Sequence, residues 1–152
     1  MSTITATNLH GDTIRKTGGS LGVDIRVKNT SVYESDGGTS VTQNLVQSLV
    51  KTWSFFDVET DDIHDSFNVA SLTDNGTGDT TTAYANNMSS INYAPMGGST
   101  HDGGSYGCYM PLDHDSPPTT SDVKFDHMQP YAAGGTRVDQ ELCTIQVTGD
   151  LA

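Results

Sequence analysis

The chain has 152 residues, enough for one domain or a small domain with an extension. Its 7 Lys and Arg against 19 Asp and Glu leave a net charge of −12. That balance argues against a nucleic-acid binder, because phosphate affinity needs clustered Lys and Arg, and only Arg15-Lys16 are adjacent.

Apolar residues make up 34% of the chain, beside 16 Gly and many Ser, Thr, Asn and Asp. No stretch reaches the roughly 20 apolar residues that span a bilayer, so membrane insertion is not expected. Met1-Ser2-Thr3-Ile4-Thr5 lacks the basic-then-apolar start of a secretory signal. The protein is expected to remain in the cytoplasm that makes it unless a particle carries it out. Cys108 and Cys143 show no CxxC spacing; reduced buried thiols are the default there, and a disulfide is the alternative.

In residues 2–33, Val23, Ile25 and Val27 alternate strictly with polar residues, which is a strand signal. Gly11-Asp12, Gly18-Gly19 and Asp36-Gly37-Gly38 punctuate the region as turns. So few apolar residues cannot bury a core alone, so this arm is expected to pair with other chains. Over residues 41–53 the period changes. Val41, Leu45, Leu49 and Trp53 recur every fourth residue, with Val46 and Val50 beside them, and this predicts a helix with one apolar stripe. A helix of about three turns is marginal alone. It is expected either to pack on its own sheet or to meet two symmetry copies around an axis.

Residues 54–100 read as β. Phe55, Phe56 and Val58 lead into an acidic turn from Glu59 to Asp62, and Phe67, Val69 and Leu72 follow. The run from Asp74 to Asp79 is a tight connection rich in residues that tolerate positive φ. Thr80 to Tyr84 is β-rich, and Ile91-Asn92-Tyr93 opens a further strand. The stretch from Leu45 to Tyr93 holds the one Trp and three of the four Phe (Phe55, Phe56 and Phe67), so the core is expected there. Residues 97–120 look loop-like around one short strand, Ser105 to Met110. Val123 to Met128 forms another strand before the Gly134-Gly135 turn, and Cys143, Ile145 and Val147 mark a half-buried strand. Short strands with Gly-rich turns predict an all-β sandwich or jelly-roll-like domain over 41–152, with a short helix and an extended arm over 1–40.

Three blocks carry a resemblance: Thr42-Gln43-Asn44-Leu45 with Leu49-Val50-Lys51-Thr52-Trp53, the run from Asp65 to Asp79, and Ile91-Asn92-Tyr93-Ala94. Together they resemble small tail-fibre-like virion proteins of tailed bacteriophages, especially those of marine bacteria. The ending Gly149-Asp150-Leu151-Ala152 is similar too, and the opening loosely so. Thr52 departs from the usual Ala, Thr80 to Tyr84 replaces a more apolar strand, and residues 97–136 have no counterpart. The resemblance implies a structural virion component and not an enzyme, made in a host bacterial cytoplasm. It implies a short tail-fibre-like or knob protein held by its N-terminal arm. A capsid decoration or head-fibre protein, or a host-glycan-binding module, is the alternative.

His101-Asp102, Asp113-His114-Asp115 and Asp126-His127 pair His with carboxylate, a donor set that suits Zn or Mn. Their spacing has no local logic, so solvated loop residues are expected, with no metal and no cofactor. Ser105 and Cys108 lack a nucleophile elbow, so no catalysis is expected. Tyr93, Tyr106, Tyr109 and Tyr131 suit either sugar stacking or subunit packing. The expected receptor-facing residues are Tyr106, Tyr109, His114 and Tyr131. The expected assembly is a homotrimer around Leu45, Leu49 and Trp53, with other tail or capsid proteins and a host surface glycan as further partners.

Overall fold

A computed structural model describes residues 32–34, 42–100, 108–130 and 135–151. Its elements are β1 (Val32–Glu34), β2 (Thr42–Asn44), β3 (Val50–Asp57), β4 (Asp62–Phe67), β5 (Val69–Gly76) and β6 (Asp79–Tyr84). They continue with β7 (Ala94–Thr100), β8 (Asp122–Asp126), β9 (Met128–Gln129), β10 (Thr136–Arg137) and β11 (Leu142–Thr148). The protein is all-β, as the alternating patterns predict. Every ladder is antiparallel: a four-stranded sheet in the order β4-β3-β11-β7, a three-stranded sheet β5-β6-β8, and the small pairs β1-β2 and β9-β10.

The two larger sheets enclose one core. Phe56, Cys143, Ile145 and Val147 line it from the four-stranded sheet, and Tyr84, Val123 and Phe125 from the other. The alternation of Cys143, Ile145 and Val147 emerges as a strict in-out pattern along β11. The Asp74-to-Asp79 run is the β5–β6 hairpin, with Gly76 and Gly78 at positive φ. Between β4 and β5 the chain passes from one sheet to the other through the single residue Asn68, whose φ is 58°. Asn tolerates that left-handed conformation. Its side chain fixes the corner, with Nδ2 donating to Thr52 Oγ1 at 3.1 Å and Oδ1 accepting from the Asn86 N–H at 2.7 Å.

The helix expected over 41–53 is not formed. One turn survives, in which the Ser48 N–H reaches the Asn44 carbonyl and Asn44 Oδ1 caps the Gln47 N–H. From Val50 onward the chain is strand. Two effects override the fourfold stripe. Val50, Thr52, Trp53, Phe55 and Phe56 are β-branched or aromatic and suit a pleated surface. β11 also needs a ladder partner, and β3 supplies it from Thr52–Val147 to Phe56–Cys143. In addition, buried Lys51 donates to the carbonyls of Val46 and Leu49, tying the turn to the strand. The threefold axis expected along a helical Leu45, Leu49 and Trp53 stripe therefore has no helix to line it.

The loop expected over 97–120 begins instead as strand β7, through Gly97-Gly98. A Cβ on Gly97 would lie 2.8 Å from Met110 Cβ and 3.1 Å from Phe125, so glycine there allows the sheets to approach closely. The strand expected from Ser105 to Met110 is reduced, among the described residues, to one bridge between Tyr109 and Met128. The Val23–Val27 strand lies outside the described residues, as does most of the 1–40 arm. The arm boundary drawn at residue 40 falls between β1 and β2, which pair with each other. Among the described residues, no helix is long and apolar enough to cross a membrane.

Candidate functional site

The outward side of β6 and β8 carries charge. Asp79 pairs with Asp126 and Thr81 with Lys124 across the ladder. Residues 111–113 run beside β8, with the Asp126 N–H donating to the Pro111 carbonyl and the Asp113 N–H to the Lys124 carbonyl. This brings Asp79, Asp113 and Asp126 together as a set of carboxylates with metal-ligand spacing. The chain's own cations occupy the position a metal would take. Lys124 Nζ lies 2.9 Å from Asp79 Oδ2 and 3.0 Å from Asp113 Oδ2. Arg137 reaches Asp126 Oδ1 at 2.6 Å and Asp79 Oδ2 at 3.4 Å.

The protonation states follow from these contacts. The backbone N–H of Asp115, then Lys124, holds the Asp113 carboxyl below its usual range. Asp79 and then Asp113 raise the Lys124 ammonium, and Asp126 raises the Arg137 guanidinium. The arrangement is a self-compensated ion network that fastens 111–113 and β10 to the sheet.

Beneath it, His127 is fully buried, not the solvated loop residue that its sequence neighbours suggested. Its Nε2 lies 2.7 Å from Thr80 Oγ1, its Nδ1 3.5 Å from Cys143 Sγ, and its ring meets Phe56 edge-on. Burial lowers its pKa, so the imidazole is neutral at pH 7. Burial pushes the Cys143 thiol up to about 12, so it stays protonated and a poor nucleophile. Cys108 and Cys143 are both free thiols. The set packs and hydrogen-bonds the core, and it offers no exposed nucleophile.

The outward side of the four-stranded sheet is the opposite case. One row crosses all four strands, Met96–Gln146–Trp53–Phe67, followed by Gly98–Thr144–Phe55–Asp65. Met96 is 63% exposed, Phe67 53%, and Phe55 also faces solvent with its ring 4.8 Å from His64. A groove of about 200 Å³ runs over Met96, Gly98, Thr144 and Gln146. The outward positions of β7 and β11, and of β3 from Val50 to Phe55, carry no charge.

A second, polar groove of about 490 Å³ lies between Gln47, Ser90, Asn92, Tyr93 and Asp150. Asp150 is held there by Gln47 Nε2 at 2.9 Å. Tyr93 lines this groove, packs edge-on against Tyr84 and donates its hydroxyl to the Thr119 and Asp122 carbonyls.

The residues singled out from sequence do not converge. Leu45 and Leu49 sit in the turn before β3, with Leu49 exposed, and Trp53 is half-buried in β3. Tyr109 is exposed, and His114 is fully exposed beside Asp115 at 3.2 Å. Tyr106, Tyr131 and His101 lie outside the described residues. Sequence reasoning missed the ion network, although the alternation Asp122-Val123-Lys124-Phe125-Asp126 carried its signal: a charged face opposite an apolar one. Comparison with protein-family models, with curated proteins and with solved structures returned no match.

Proposed function

We propose that this chain is a non-enzymatic structural protein of a tailed-bacteriophage virion, a short tail-fibre-like or knob protein that displays a β-sandwich. The observation that carries an assembly role is the aromatic ridge of Trp53, Phe55 and Phe67 on the outer face of the four-stranded sheet. In a chain with a net charge of −12, the single Trp and two of the four Phe lie on that face instead of in the core. Exposed apolar surface of this kind marks contact with another macromolecule. The virion setting comes from the resemblance of the Leu45-to-Asp79 region to tail-fibre-like proteins. A capsid-decoration placement is the variant of the same reading, since an assembly face serves either position.

The test is the protein content of tailed particles purified from the source lysate. Mass spectrometry is expected to find the chain at a fixed ratio to the major particle proteins. Its absence from washed, intact particles overturns the reading.

A further inference from the structure

We propose that Asn75 is a site of spontaneous covalent modification, deamidation through a succinimide, and that this reaction loosens the ion network on the three-stranded sheet. Asn75-Gly76 is the one Asn-Gly step in the chain. It lies at the turn of the β5–β6 hairpin, where the ladder slips between Asp74 and Gly76. Both residues are exposed. A Cβ placed on Gly76 would meet nothing within 4 Å, so water reaches the step. Glycine also brings no side chain of its own to screen its nitrogen from the Asn75 side-chain carbonyl carbon.

The Gly76 nitrogen attacks Asn75 Cγ. The N–Cγ bond forms, the Cγ–Nδ2 bond breaks, and the Gly76 amide proton departs with Nδ2 as ammonia. Water then opens the succinimide. Opening at Cγ leaves aspartate. Opening at the Asn75 backbone carbonyl leaves isoaspartate, with the main chain routed through Cγ. Water is taken up, ammonia is released, and no oxidant or reductant is needed. In the closed hairpin the Gly76 N–H donates to Asp74 Oδ1 at 2.7 Å, so the attack waits on local opening of this exposed turn.

The consequence follows from what Asn75 holds. Its Nδ2 donates to Asp79 Oδ1 at 3.1 Å and to Thr81 Oγ1 at 2.9 Å. The other oxygen of Asp79 faces Lys124 and Arg137. Asn75 therefore satisfies the side of the carboxylate that the two cations leave. Deamidation removes that donor and sets a new carboxylate against Asp79. The network already places Asp79, Asp113 and Asp126 against Lys124 and Arg137, so the added charge is unmatched. The isoaspartyl product also lengthens the main chain between the Asp74–Thr80 and Gly76–Asp79 pairs. Neither the reaction nor its effect depends on the virion setting.

The experiment is incubation of the full chain at mildly alkaline pH, with each Asn followed by peptide mapping and mass spectrometry. Asn75 is expected to convert about ten-fold faster or more than exposed Asn92, which precedes the bulky Tyr93. Asn75→Gln keeps the amide but must close a larger ring, and it is expected to stop conversion at this position. Converted protein, separated by its added charge on anion exchange, is expected to have a lower urea midpoint than unconverted protein. Asn75→Asp is expected to move the midpoint in the same direction. Conversion at Asn75 no faster than at Asn92, or a native urea midpoint in either the converted protein or Asn75→Asp, overturns the proposal.

Discussion

The two outer faces of the sandwich treat polarity in opposite ways. On the three-stranded sheet Asp79 is buried, because β10 brings Arg137 against it, Lys124 reaches it from β8, and Lys124 also holds Asp113 in the segment beside β8. On the four-stranded sheet, Phe67 and Met96 are open to solvent, because no described segment of the chain lies over them. What decides inside and outside here is which face has a covering segment, more than the hydrophobicity of the residue. A charged group is buried when its partners come with the cover. An apolar group left uncovered is a surface for another molecule.

That contrast can be tested by substitution, beginning with the core that both faces share. Phe125→Ala removes the ring that supports the ion network from below and faces Gly97 across the core. It is expected to cost about 3–5 kcal/mol in urea unfolding, and with it both faces. A loss below about 1 kcal/mol would mean that the sheets do not depend on one core.

Asp79→Ala takes away the carboxylate that bridges Lys124 and Arg137. It is expected to lower the urea midpoint by less than Phe125→Ala does, because Lys124 and Arg137 lose a shared partner while both still reach water. No change in urea midpoint would make the network ornamental.

Acid sharpens the comparison, because the titratable groups that matter sit under the charged face. The folded pKa of His127 lies below the ordinary 6.5, so at intermediate pH the unfolded chain takes up a proton that the folded chain does not. Its contribution to stability is present above pH 6.5 and is lost as pH falls below it. Asp113, depressed below 3.8, gives a second and later loss as pH falls below that value. Urea midpoints are expected to decline first in the His range and then in the carboxylate range. His127→Gln is expected to flatten the first decline, and an unchanged slope would remove His127 from the account.

The smallest stability effect belongs to the apolar face. Phe67→Thr is expected to shift unfolding by less than about 0.5 kcal/mol, since the ring is already in water in the free chain. Its effect should appear in association with a partner macromolecule. A large loss of monomer stability would show that the face works inward after all.

Much of the fold was legible. β8 and β11 follow alternations visible in Val123–Met128 and Cys143–Val147, because a strand with one buried face writes a period of two into the chain, and β6 follows the β-rich run Thr80–Tyr84. β3 was not legible. Its inward positions are Thr52, Ser54 and Phe56, so two of the three core-facing residues are polar, while Trp53 and Phe55 face outward. Polarity read along this strand points to the wrong side, and the fourfold spacing of Leu45, Leu49 and Trp53 then imitates a helix. β7 was hidden by Gly97 and Gly98, which read as a loop until Phe125 and Met110 are seen pressing on the strand.

Composition, charge and local alternation by themselves determined that this is an acidic, all-β chain with a tight turn from Asp74 to Asp79, since those properties depend on residues close in sequence. Only the tertiary structure decided that Lys124 sits between Asp79 and Asp113, that His127 meets Thr80 and Cys143, and that Trp53 aligns with Met96 and Phe67 across four strands. Those contacts join residues far apart in the chain. The register of the sheets creates them, and the register is set by which strands find each other as the core closes.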